Sequence, residues 1–160
     1  PLRAAVLVMS DSIAAGQKTD SSGRAIVERL EAEGVCVEDY SIIPDNKDTI
    51  IQKLCMYADL AHYDLVMTTG GTGFSPRDCT PEAMAEVIDR YAPGVAEASR
   101  AYGQQRTPYS MLSRAVAGFR GSTLIVNLPG SRKGVKDSLD ALLPALLHSF
   151  KMVRGGGHDV

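Results

Sequence analysis

The stretch LVMTTGGTGFSPRDCTPEA, residues 65–83, holds the backbone and side chains of this chain best suited to chemistry. An apolar run enters a glycine turn, and an acidic helix start follows it. Gly70, Gly71 and Gly73 give a backbone that can adopt positive φ and that lets a ligand approach where a Cβ would block it. Amide N–H groups in such a turn, with Thr72 among them, can face an anion, as they do in backbone nests and at helix N-termini. Asp78 comes five residues after Gly73, and Thr80-Pro81-Glu82 reads as N-cap, first helical position and first-turn acid. A carboxylate beside a phosphate-binding turn is costly unless a cation lies between them, and magnesium fills that role. Asp78 is therefore a candidate metal-binding acid, with a local contact to turn amides as the alternative. The spacing is not that of a Walker loop, which needs G-K-[ST], nor of a dinucleotide fingerprint, which needs a third glycine at another offset.

Alternating strand and helix patterns position this turn. AAVLVMS, residues 4–10, is an apolar run that ends in Ser10-Asp11-Ser12. Asp20-Ser21-Ser22-Gly23 offers caps for a helix that carries Ile26, Val27 and Leu30 on one face and stops near Gly34. A second strand over 35–43 ends at Pro44-Asp45, and a helix starting at 46–48 fades around His62. Asp45 fits an N-cap there, with Asp48 in the first turn. The third strand, 64–69, leads into the glycine turn and a helix over 81–91. A further helix spans 92–106, opened by Pro93. Residues 112–119 and 122–128 alternate around Arg120-Gly121 as a hairpin. The strand ending in Leu128-Pro129-Gly130-Ser131 feeds a last helix with Val135, Leu139, Leu142 and Leu143 on one side and an expected break at Pro144.

This order predicts an α/β fold: an open, mostly parallel, doubly wound sheet with a small antiparallel hairpin element and helices on both faces. Right-handed crossovers keep parallel strand ends on one edge. The turns at Ser10-Asp11-Ser12, Pro44-Asp45, Gly70–Gly73 and Pro129-Gly130-Ser131 are thus expected to converge. Ser131, Arg132 and Lys133 fall at a helix N-terminus that favours phosphate. Ser113 and Arg114 can hold anionic parts of a ligand, with a surface ion pair as the plain alternative for Arg114. Lys47, Lys133 and Arg77 are the cations available for phosphate, with Lys133 ranked first.

A single domain over 1–154 and a flexible tail over 155–160 fit the length and the closing glycines. Seventeen basic and nineteen acidic residues give a net charge of −2, which exerts no general pull on nucleic acid or membrane. Cys36, Cys55 and Cys79 have no C-x-x-C spacing, and His62, His148 and His158 are scattered, so reduced structural thiols are expected and a zinc site is not. With no signal-peptide pattern and no run of eighteen apolar residues, the cytoplasm is the expected location.

TTGGTGFSPRDCTPEA resembles the signature of the molybdopterin-binding domain family, which includes molybdopterin adenylyltransferases and the N-terminal domain of gephyrin. VLVMSDS (6–12) with DSSG (20–23), SIIPDN (41–46) and MLSRAVAGFRGSTLIVNLPGSRKGVKDSLDALLPALLH (111–148) extend the similarity over nearly the whole chain. The resemblance implies Mg²⁺- and ATP-dependent adenylylation of molybdopterin, with release of pyrophosphate. It makes Asp45 and Asp78 the two catalytic, metal-holding acids and places Ser10, Asp11, Ser12, Asp20, Ser22 and Gly23 in a first loop segment bordering the pterin cleft. It also implies a homotrimer and a molybdenum-insertion domain or enzyme that receives the product. The alternative is a non-catalytic molybdopterin-binding or trimeric scaffold module. A nicotinamide oxidoreductase is disfavoured because the fingerprint and its ribose-binding acid are missing.

Overall fold

The structure, a computed structural model, describes residues 1–153. Six strands form one sheet: β1 Arg3–Met9, β2 Cys36–Ile43, β3 Leu65–Thr69, β4 Arg90–Tyr91, β5 Ala117–Arg120 and β6 Thr123–Leu128. Their order is β2-β1-β3-β6-β5-β4. β2, β1, β3 and β6 are parallel, while β5 runs antiparallel to both β6 and β4. The mostly parallel sheet with an antiparallel hairpin is thus present, extended by the two-residue strand β4.

The helices are α1 Asp11–Ala14, α2 Ser22–Ala32, α3 Lys47–Asp59, α4 Thr80–Val87, α5 Pro93–Gln104 and α6 Arg132–Lys151. Alternation along each strand divides the core between the two faces of the sheet. Ala4, Val6, Leu65, Met67, Leu124 and Val126 pack with Ile26 and Leu30 of α2 and with Leu139, Leu143 and Phe150 of α6. Ala5, Leu7, Met9, Val66 and Ile125 pack on the other face with Leu54 and Tyr57 of α3 and Met84 of α4. Both faces are covered, and β1 accordingly reads as a near-continuous apolar run.

Several expectations need correction. The helix after the glycine turn stops at Val87 rather than 91, because Ile88 is extended and Arg90–Tyr91 pairs with Gly118 and Phe119. Its N-cap is Cys79, not Thr80, which is the first helical residue and spends its hydroxyl on the Gly70 carbonyl. Asp45 is not the cap of α3: Asn46 is, accepting the Thr49 N–H. The hairpin's first strand begins at Ala117, since Ser110–Leu112 is a short 3-10 helix. The tail expected over 155–160 lies outside the described residues.

The expected break at Pro144 does not occur, and α6 continues through it. Pro144 is on the exposed side, so the carbonyl it leaves without a helical donor stays near solvent. Leu142, Leu143 and Leu146, all buried, hold the helix on the sheet around it. Pro144→Ala should restore one helical hydrogen bond, worth about 0.5–1.5 kcal/mol net, and raise Tm by roughly 1–6 °C, measured by thermal unfolding, at about 2–4 °C per kcal/mol in a domain of this size.

Candidate active site

Parallel strands place the ends of β1, β2, β3 and β6 on one edge of the sheet, and contacts between the following turns close the group. The Asp45 N–H donates to Asp11 Oδ1 at 2.9 Å, and the Asp11 N–H donates to Asp45 Oδ2 at 3.2 Å. Each acid thereby caps the other's backbone. Thr69 Oγ1 donates to the Pro129 carbonyl at 2.6 Å, and Ser22 Oγ to the Gly130 carbonyl at 2.8 Å.

Gly70 has φ +100° and Gly71 +70°. A Cβ on Gly70 would strike the Met9 carbonyl, and one on Gly71 would strike Thr80 Oγ1 and come within 3.2 Å of Asp45 Oδ1. Glycine is therefore required at both positions by sterics as well as by φ. Asp78 lies beside the same turn: a Cβ on Gly73 would stand 2.8 Å from Asp78 Oδ2. That oxygen also accepts the Ser75 N–H at 3.0 Å, so the local turn contact is made.

Charge on this edge is unbalanced. Arg77 pairs with Asp11, its Nε and Nη2 each 3.0 Å from a carboxylate oxygen. The Asp45 N–H, and after it Arg77, hold the Asp11 carboxyl below its ordinary range. Asp45 goes the other way. Burial pushes its carboxyl up, and the charges of Asp11 and Asp78 add to that push, while the Asp11 N–H and Arg77 oppose it. Among the described residues, Asp45 Oδ1 is the buried side-chain polar atom with no hydrogen-bond partner. A buried, orphaned carboxylate oxygen fits a hard cation. No cluster of three or more His, Cys, Asp or Glu suited to a metal exists among the described residues. Asp45 and Asp78 are the carboxylates here that could hold such a cation, and magnesium takes one or two carboxylates plus substrate phosphates.

Two recesses lie on this edge, and one of them reaches the turn at Gly70. One is a cavity of about 270 Å³ whose lining includes Ser113, Pro129, Ser131 and Lys133 together with Arg100 and Asn127. The other, about 160 Å³, is bordered by Ser10, Asp20, Ser22, Gly70 and Gly130. Ser10 also caps α1, accepting the Ile13 N–H. Asp20 is turned inward, accepting hydrogen bonds from the Gly23 N–H and the Tyr40 hydroxyl. Ser131 caps α6 through the Gly134 N–H. Of the three cations considered for phosphate, Lys47 is drawn off to Glu86 and Arg77 to Asp11. Lys133 makes no ion pair among the described residues.

Sequence reasoning missed Arg100, Asn127 and Asp137 in the larger cavity. Ala96, Ser99 and Gly103 recur at helical spacing around Arg100, and that small-residue stripe was the available signal. Asn127 gave none, because its amide is spent inside the sheet edge on Thr68 and Val116.

An open α/β sheet with acids, a glycine turn and a helix N-terminus at its carboxyl edge defines an anion-handling domain of the doubly wound class. Residues 5–148 match a family model described as "Probable molybdopterin binding domain". The chain is 42% identical over 98% of its length to a molybdenum cofactor biosynthesis bifunctional protein of Chlorobaculum tepidum, of which it spans 50%. It is 38% identical to a molybdopterin adenylyltransferase of Helicobacter pylori, with 94% of this chain and 86% of the relative covered. The solved molybdopterin biosynthesis enzyme MoaB of Thermus thermophilus superposes with a TM-score of 0.90 at 45% identity, covering 97% of this chain and 98% of that one. The chain belongs to the molybdopterin-binding domain family.

Asp45 yields a stability prediction whose sign follows from its raised pKa. The folded state disfavours the ionised form, so Asp45→Asn should raise Tm at pH 7. The gain should be full above the raised folded value and shrink as pH falls through it, where the native carboxyl takes up its own proton. Thermal unfolding at several pH values checks this.

Proposed function

We propose that this chain is a molybdopterin adenylyltransferase acting in molybdenum cofactor biosynthesis. In the reaction, an oxygen of the terminal phosphate of molybdopterin attacks the α-phosphorus of ATP. The bond from that phosphorus to the bridging oxygen breaks, and pyrophosphate leaves. Relatives bearing this activity in their names support the reading, and the observation that carries it is the orphaned Asp45 Oδ1 set against the glycine turn.

Both reactants are anions, so the protein's task is to hold them in line and offset their repulsion, and positioning of this kind can be worth ~7–11 kcal/mol. The turn amides receive phosphate oxygens, and Lys133 supplies a positive charge at the mouth of the larger cavity. Arg77 releases Asp11 and swings to the incoming polyphosphate, a short move for a side chain that is 66% exposed. Asp45 and Asp78 would hold Mg²⁺, which when bound neutralises phosphate charge as a Lewis acid. Two recesses on the same edge, one lined in part by Gly70 and the other by Ser131 and Lys133, suit two reactants that must meet there. No residue need form a covalent intermediate.

The same reading takes the domain to work as a homotrimer in the cytoplasm and to pass its product to a molybdenum-insertion domain or enzyme. A relative twice this length that is named bifunctional supports the last point. No helix among the described residues is long and apolar enough to cross a membrane.

Incubation with molybdopterin, ATP and MgCl₂ should yield adenylylated molybdopterin and an equal amount of pyrophosphate, followed by chromatography and a coupled phosphate assay. Asp78→Ala should lower turnover by at least ~10²-fold while pterin binding, followed by fluorescence, persists. Retained turnover in that variant would falsify the mechanism, and binding without turnover in the unaltered protein would favour a binding module.

A further inference from the structure

The carbonyl oxygens of four consecutive turn residues are all engaged, and by only two partners. Gly70 O accepts the Thr80 hydroxyl at 3.1 Å, and Gly71 O accepts the Thr80 N–H at 3.0 Å. Thr72 O accepts the Arg114 N–H at 2.7 Å, and Gly73 O accepts Arg114 Nε at 2.8 Å. In a trans peptide the N–H points away from the carbonyl of the same plane. Each peptide whose carbonyl is drawn to Thr80 or Arg114 therefore turns its N–H away from that partner, at Gly71, Thr72, Gly73 and Phe74. None of those four N–H groups has an acceptor among the described residues.

The Arg114 side chain has little left for a ligand. Nη2 donates to the Asp78 carbonyl at 2.9 Å, and Nη1 to Glu82 Oε2 at 2.7 Å. A longer contact joins Nη2 to Glu82 Oε1 at 3.3 Å. Four of its five N–H bonds are thus directed at protein. At about one-third exposure, the ion pair with Glu82 is screened and adds little stability by itself. Its effect is to aim the guanidinium fork at two carbonyls, one in the turn and one on Asp78.

We propose that Arg114 and Thr80 are positioning residues that hold the glycine turn with its amides outward, creating the phosphate cradle without touching the ligand. The proposal rests on the reading that this turn receives the phosphates of ATP. Arg114 also ties the cradle to the larger cavity. Its neighbour Ser113 lines that cavity, and Arg100 holds the Ser113 and Ala115 carbonyls at 3.3 and 2.6 Å. Alignment of the cradle and the shape of the cavity thus share one short strap, 113–115.

Arg114→Lys and Thr80→Val test this. Lysine keeps the charge, but a single nitrogen cannot reproduce a fork that spans Gly73 O and Asp78 O. Valine keeps the volume of threonine and removes one donor. ATP titrated into ¹⁵N-labelled protein should shift the amide resonances of Gly71, Thr72 and Gly73 in the unaltered chain. In both variants ATP affinity should weaken by at least about tenfold with smaller shifts, and turnover should fall by ~10²-fold for Arg114→Lys, against an unchanged pterin affinity. Turnover of Arg114→Lys within threefold of the unaltered chain, or unaltered amide shifts in Thr80→Val, would overturn the proposal. If Arg114→Lys fails to fold, Thr80→Val carries the test alone. Absence of turnover in the unaltered chain would sink the enzymatic reading and leave the ATP titration to judge the cradle.

Discussion

Asp11 and Asp45 each accept the other's backbone N–H, and this reciprocal pair fastens the ends of two adjacent strands. The fastening brings a penalty, because it sets two carboxylates side by side with a third, Asp78, close enough to raise the pKa of Asp45. The rest of the edge answers that concentration of negative charge. Arg77 covers Asp11, the glycine turn brings N–H groups rather than carbonyls to the cleft, and one carboxylate oxygen of Asp45 is left with nothing to bind. Such a site is stable enough to form yet keeps an unpartnered acid oxygen next to the glycine turn.

Much of the fold was legible because it depends on pattern. The near-continuous apolar run of β1 implied a strand covered on both faces, and right-handed crossovers then put the parallel strand ends onto one edge. The misreadings fell where local chemistry competes with tertiary contact. Thr80 has the composition of an N-cap, yet its hydroxyl does more by closing the glycine turn. Pro144 has the chemistry of a breaker, yet the apolar residues around it keep the helix docked.

The site divides in the same way. Residues placed directly at strand ends, such as Gly70, Gly71 and Asp45, can be found from their position after a strand. Residues that act through long side chains cannot. Arg114 is distant in sequence from the turn it holds, and nothing in its neighbours tells whether the guanidinium meets a ligand or a peptide carbonyl. Asp20 looked equally suited to cap or contact, and the Tyr40 hydroxyl that claims it lies on β2, beyond the following helix.

β2 stands at the border of the sheet, paired on one side only, and its register with β1 slips between Ala4 and Ala5. The acid at its tip is therefore carried by a strand with main-chain partners on one side only, and transient peeling of that border would withdraw Asp45 while the glycine turn, anchored on an interior strand, stays in place. The paired amide contacts with Asp11 then act as a latch whose opening rate, rather than the global stability of the domain, limits how long the acids remain aligned.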